Sequence, residues 1–110
     1  MQTVAEINPI DLKKRLDQGE DILLLDVREP HEVAICTLPN PIYIPLGQLQ
    51  ERLGEIEPYK NRALVVYCRS GARSQRAAEF LQASGFSQAR NLTGGILAWA
   101  DQIDNSLQKY

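Results

Sequence analysis

Apolar positions follow two rhythms along this chain. Residues 22–27 and 63–68 are apolar at almost every place and predict buried strands, since a strand covered on both faces has no polar side to alternate. A short alternating stretch at 3–7 predicts a first strand, 88–92 a last one, and 42–46 a third, which Pro45 confines to a strand end or sheet edge. Between them the period lengthens. Asn8 suits an N-cap and Pro9 a first helical turn, with Ile10, Leu12 and Leu16 as the apolar face and Gly19 as the stop. Residues 29–35 predict a short helix with Pro30 in its first turn, and 47–56 an amphipathic one with Leu49 and Leu53 four apart. Ala77, Phe80 and Leu81 mark a helix from Ala72 to a stop at Gly85, and Ile96, Trp99, Ala100 and Ile103 mark another after Gly94-Gly95. Residues 58–61 read as a loop, and 101–110 as a polar end that frays.

Strands alternating with helices predict an α/β fold, a mainly parallel five-stranded sheet with helices on both faces. At 110 residues the chain is expected to form a single domain, residues 1–110, burying about 60–70% of its unfolded surface. Apolar residues at 44% and charged residues at 24% are ordinary globular values, and a net charge of −2 gives no reason to expect nucleic acid or an anionic membrane as partner. Residues 1–5 lack the basic and apolar parts of an export signal, and the apolar runs are strand-sized. A reducing compartment, the cytoplasm, is the expectation for two cysteines of which one is needed free.

Candidate chemistry concentrates where a strand turns into a helix. Cys68 closes the run at 63–68 and is followed by Arg69-Ser70-Gly71-Ala72-Arg73-Ser74. The thiol should therefore sit at a strand's carboxyl end facing a helix amino terminus. Unpaired first-turn amides, the helix dipole and Arg69 and Arg73 all favour thiolate. Cysteines so placed have pKa values of roughly 3.5–7.5, which supplies a nucleophile without a base. A lone cysteine is more often a core residue, but a core residue does not require Gly71, free to adopt φ > 0, or small neighbours that let successive amides converge on an anion.

Asp26 and Arg28 stand at the end of the strand at 22–27, where an unpaired charge is costly, and read as a hydrogen-bonded pair bracing nearby loops rather than as a general base. His31, the one histidine, reads as a surface residue. Cys36 is either a small buried hydrophobe, the commoner role, or a resolving thiol.

Three segments together carry a family resemblance. Cys68-Arg-Ser-Gly-Ala-Arg73 is similar to the Cys-x-x-Gly-x-Arg loop of rhodanese-like sulfurtransferases, Asp26-Val-Arg-Glu29 to their Asp-Val-Arg-Glu signature, and Gly94-Gly95 with Trp99 to their carboxyl-terminal Gly-Gly-x-x-x-Trp. The segment 36–41 departs from the family's Gly-His-Ile-Pro-Gly-Ala, although Asn40 can hold a left-handed turn in place of glycine. The resemblance implies a compact rhodanese domain in single copy, with Cys68 catalytic and Asp26 and Arg28 in support.

A thiosulfate sulfurtransferase of this kind takes a sulfane sulfur onto Cys68 as a persulfide and hands it to an acceptor: cyanide, a small thiol, or the thiol of a redox protein. The donor would be a small anion held by Arg69, Ser70, Gly71, Ala72, Arg73 and Ser74. Arg69 is expected at the donor's sulfonate, and Arg73, at the loop's close, is expected instead to tie loop carbonyls together and add field. Nothing in this chemistry calls for a metal or cofactor. Two alternatives stand beside it. One is a persulfide carrier or regulatory module with little turnover of its own. The other, a phosphatase with a related loop, is disfavoured because only four residues separate Cys68 from Arg73, one fewer than those enzymes carry.

Overall fold

A computed structural model of the protein describes residues 4–110. Five strands form one parallel sheet in the order β1-β5-β4-β2-β3: β1 (Glu6–Ile7), β2 (Leu23–Asp26), β3 (Ile42–Tyr43), β4 (Leu64–Tyr67) and β5 (Ala89–Leu92). The helices are α1 (Pro9–Asp17), α2 (Pro30–Val33), α3 (Ala72–Ala83) and α4 (Gly95–Gln102). The α/β expectation holds. Among the described residues, no helix is long and apolar enough to cross a membrane.

Strand β4 is central because its four residues are all buried, so it tolerates neighbours on both edges and both faces. Its side chains alternate between two cores. Leu64, Val66 and the following Cys68 join Ala77, Ala78 and Leu81 of α3, while Val65 and Tyr67 join Leu12 of α1 and Ile96 and Trp99 of α4. That alternation alone puts Cys68 on the α3 face.

Most elements lie where hydrophobic rhythm put them, with shorter strands. The predicted strand at 3–7 is reduced to Glu6–Ile7, Thr3 lying outside the described residues, and that at 42–46 to Ile42–Tyr43. The Asn8 side chain caps α1 by accepting from the Asp11 amide at 2.8 Å. Ile10 corrects the predicted face of that helix: it is 54% exposed, and Leu12 alone among the three apolar positions is fully buried. Asn40 does take positive φ, 50°.

Two segments differ in kind. Residues 47–56 do not form an amphipathic α-helix but two 3-10 segments, Leu46–Gln48 and Leu53–Tyr59, the second running into the predicted loop. Gly47, Gly54 and Pro58 explain this, since two poor helix formers and a missing amide leave no stretch long enough to propagate an α-helix. Leu49 and Ile56 nevertheless reach the core. The residues after α4, predicted to fray, fold back instead. Leu107 and Tyr110 pack against the Trp99 cluster, and the Tyr110 side chain reaches the sheet's carboxyl edge.

Candidate active site

The carboxyl ends of β2 and β4 lie side by side, Asp26 paired with Tyr67, so the residues that follow each strand share one edge of the sheet. Cys68 is the first residue past β4 and is 1% exposed. Chain reversal into α3 depends on Gly71, the residue before the helix, at φ 110°. A side chain would strain that conformation. The turn brings the Gly71 amide to 3.1 Å from Cys68 Sγ, the Ser74 amide to 3.4 Å and the Ser74 hydroxyl to 3.3 Å. The sulfur thus faces polar groups although its neighbours on the sheet belong to the core.

A second helix holds the loop from behind. At the start of α4 the Ile96 amide donates to the Cys68 carbonyl at 2.9 Å and the Leu97 amide to the Arg69 carbonyl at 3.1 Å. Gly95, at φ 64°, permits this approach, for a Cβ there would collide with the Arg69 carbonyl and stand 2.7 Å from that of Cys68. The Gly94-Gly95 pair, read from sequence as a helix start, is therefore a clamp on the cysteine loop.

Burial pushes the Cys68 thiol pKa up, but the Ser74 hydroxyl and the amides of Ser74, Gly71 and Ser70 pull the other way, and the result lies below the ordinary thiol value. Neutral dipoles lead this effect. The arginines, expected to share it, are mostly engaged elsewhere.

Arg73 does not tie loop carbonyls together. Its guanidinium makes a two-pronged ion pair with Glu32 of α2, at 2.6 and 2.8 Å, and couples to Cys68 only through the field. Arg69 stacks over the Tyr110 ring at 5.2 Å and its Nε donates to the Tyr110 main-chain oxygen at 2.7 Å. Ala72 begins α3.

Asp26 and Arg28 form the predicted pair, both fully buried. Arg28 Nε and Nη2 donate to the two carboxylate oxygens at 3.0 and 2.7 Å, Nη2 also donates to the Cys36 carbonyl at 2.6 Å, and Nη1 donates to the Tyr110 hydroxyl at 3.0 Å. With its donors met this way the guanidinium can stay ionised in the interior. Cys36 is a free, half-buried thiol, and its carbonyl is the atom that serves this network.

Glu32 joins the two arginine systems. It accepts from Arg73 through both oxygens, from the Glu29 amide at 3.0 Å and from the Tyr110 hydroxyl at 2.8 Å. Arg73 above all holds its carboxyl pKa down to about 2. Sequence reasoning passed over three residues here. Glu32 had a signal, three residues after Glu29 at the spacing of a capping box. Asn91, an amide within a strand predicted to be buried, donates to the Gly71 carbonyl at 3.2 Å and accepts from the Ser74 hydroxyl at 2.6 Å. Tyr110 had none.

A parallel sheet presenting a cysteine in a ring of loop amides defines a class of small α/β proteins. The chain belongs to the family of rhodanese-like domains, whose family model matches residues 8–102. It is 43% identical over 97 residues to a sulfurtransferase of Allochromatium vinosum, covering 88% of this chain and 89% of that one. Among solved structures, it is similar to a rhodanese-like domain protein from Staphylococcus aureus, with 30% identity, a TM-score of 0.81 and coverage of 96% and 98%. A rhodanese-related protein from Thermoplasma volcanium gives 32% identity, a TM-score of 0.80 and coverage of 90% and 93%. The family relationship is to sulfurtransferases.

Proposed function

We propose that this protein transfers a sulfane sulfur from thiosulfate, or a donor of similar charge, to cyanide or a thiol through a persulfide on Cys68. The Cys68 thiolate attacks the outer sulfur, the donor's S–S bond breaks, and sulfite leaves with the bonding electrons. An acceptor then attacks the terminal sulfur of the persulfide, and Cys68 departs as thiolate. Neither half-reaction needs a general base, in keeping with Asp26 being occupied by Arg28.

One observation carries this reading: three donors from Gly71 and Ser74 converge on Sγ, where they would stabilise both the thiolate and the terminal sulfur of a persulfide. Intact-mass measurement after incubation with thiosulfate is the test. One added sulfur is expected, lost on adding cyanide and absent in Cys68→Ser. A wild-type mass that never rises would sink the reading, and turnover of an aryl phosphate would move the protein to another class.

Arg69 is our candidate for the sulfonate end of the donor. It is exposed beside the loop, and a donor would have to draw its guanidinium away from Tyr110. Arg69→Ala is expected to raise the thiosulfate KM about tenfold or more while changing kcat less, the pattern of lost binding rather than lost chemistry. An unchanged KM would remove Arg69 from the site. Ser70 and Ala72 are proposed to contribute through the loop's backbone, and the cytoplasm is the proposed location.

A further inference from the structure

Asn91, in β5, is 3% exposed, and its amide is the hub of a hydrogen-bond chain that ends at Cys68. At the outer end the Glu79 carboxylate, which can only accept, takes a bond from Gln75 Nε2 at 3.3 Å. That turns Gln75 Oε1 toward Asn91, where it accepts from Nδ2 at 3.1 Å. The Gly71 carbonyl accepts from the same nitrogen at 3.2 Å. With two acceptors on Nδ2, the orientation of the Asn91 amide is fixed, and Oδ1 faces Ser74 Oγ at 2.6 Å. An amide oxygen has no proton to give. The Ser74 hydroxyl must therefore be the donor.

Ser74 has one hydroxyl proton and three acceptors around it. Asn91 Oδ1 is the nearest, while Cys68 Sγ and the Gly71 carbonyl oxygen each lie at 3.3 Å. While sulfur is protonated, the short bond to Asn91 holds the proton, and the Ser74 oxygen turns a lone pair to the thiol. Once sulfur is charged, it becomes the stronger acceptor, because hydrogen bonds to ionised groups are roughly twice as strong as neutral ones.

We propose that Asn91 is a positioning residue that sets the direction of the Ser74 hydroxyl, holding it as an acceptor for the Cys68 S–H at rest and releasing it to donate when that sulfur is negative. No proton runs along the chain. The thiol proton leaves to solvent, and the Ser74 proton stays on its own oxygen, swinging from Oδ1 to Sγ. Arg73 is the charged group coupled to Cys68 from α3, Glu32 holds it from α2, and Arg69 faces Tyr110.

The inference rests on Cys68 being the sulfur-bearing group of the proposed reaction. Its test uses neither donor nor acceptor, so a failed transfer assay and a failed titration reject different claims. The measurement is the thiol titration of the full chain, followed by the ultraviolet absorbance of the thiolate, with Cys36→Ser in every variant so that Cys68 is the one thiol observed. Asn91→Ala removes the competing acceptor and is expected to lower the Cys68 pKa by at least about half a pH unit. In a Ser74→Ala background the same substitution should move it by less than about 0.2 unit, the behaviour of two coupled groups. A residue that merely anchored the Gly71 loop would, on removal, loosen the amides around sulfur and raise the pKa in both backgrounds. An unchanged or raised value in Asn91→Ala, or a fall that persists without Ser74, overturns the proposal. Should Asn91→Ala fail to fold, Asn91→Asp serves, since its carboxylate keeps the Ser74 proton from sulfur. Its upward shift must be larger with Ser74 present than in Ser74→Ala, and equal shifts would reject the idea.

Discussion

Two adjoining regions at the carboxyl edge of the sheet handle charge in opposite ways. Around Cys68 the partners are neutral: two amides and a hydroxyl within 3.4 Å of sulfur. A loop away, Asp26, Arg28, Glu32 and Arg73 form ion pairs bridged by the Tyr110 hydroxyl. Full charges there satisfy one another and hold α2, α3 and the residues after α4 together, whereas fixed dipoles serve the thiol. The division has a physical basis. A dipole built into the backbone needs no counter-ion and no desolvation of its own charge, while each buried ion must find a partner.

The contrast can be broken from the ionic side. Arg28→Ala leaves Asp26 buried without its partner, and urea unfolding should show a loss of about 3–5 kcal/mol. A loss below 1 kcal/mol would mean that the pair is not a structural support. Next in size is Glu32→Gln, expected to cost roughly 1–3 kcal/mol at neutral pH because Arg73 loses its anion.

The same variant also changes the response to acid. The Glu32 carboxyl has a folded-state pKa of about 2, below its unfolded value near 4.3, so its stabilisation is fully present above about pH 5 and is lost as pH falls through about 2. Stability measured between pH 5 and 2 should therefore fall less in Glu32→Gln than in the wild type. Equal slopes would show that this carboxyl does not titrate as described.

Tyr110→Phe is the mildest change. It removes one hydroxyl between Arg28 and Glu32 and should cost about 1 kcal/mol or less. To sharpen the comparison, the Cys68 pKa should move less in any of these three variants than in Ser74→Ala, which deletes a donor beside sulfur itself. A larger movement in Arg28→Ala would mean that the two regions are not separate.

How much could be read from sequence follows the range of each interaction. Strands β2 and β4 were legible because burial on both faces leaves an unbroken apolar run, and the Cys68 loop because its donors lie within six residues of the sulfur. Asp26 and Arg28 were legible for the same reason, being two residues apart at the end of such a run. The resting partners of Arg69 and Arg73 were not. Each finds its partner 41 residues away, Arg69 at Tyr110 and Arg73 at Glu32, and a polar residue facing a polar residue leaves no periodic trace. Tyr110 meets Arg28 across 82 residues, so local composition suggested only a fraying end. The 3-10 segments were misread because Leu49 and Leu53 satisfy a helical spacing that glycine and proline then prevent from propagating.

The amides of Ile96 and Leu97 grip the carbonyls of Cys68 and Arg69 from the far side of the loop, and that grip requires β5 and α4 to be in place. The backbone on which the sulfur's own loop is built is thus held by an element that follows it by more than twenty residues. A substitution in α4 that loosens this grip should therefore disturb the backbone around residue 68 from a distance, without touching the groups that face its sulfur.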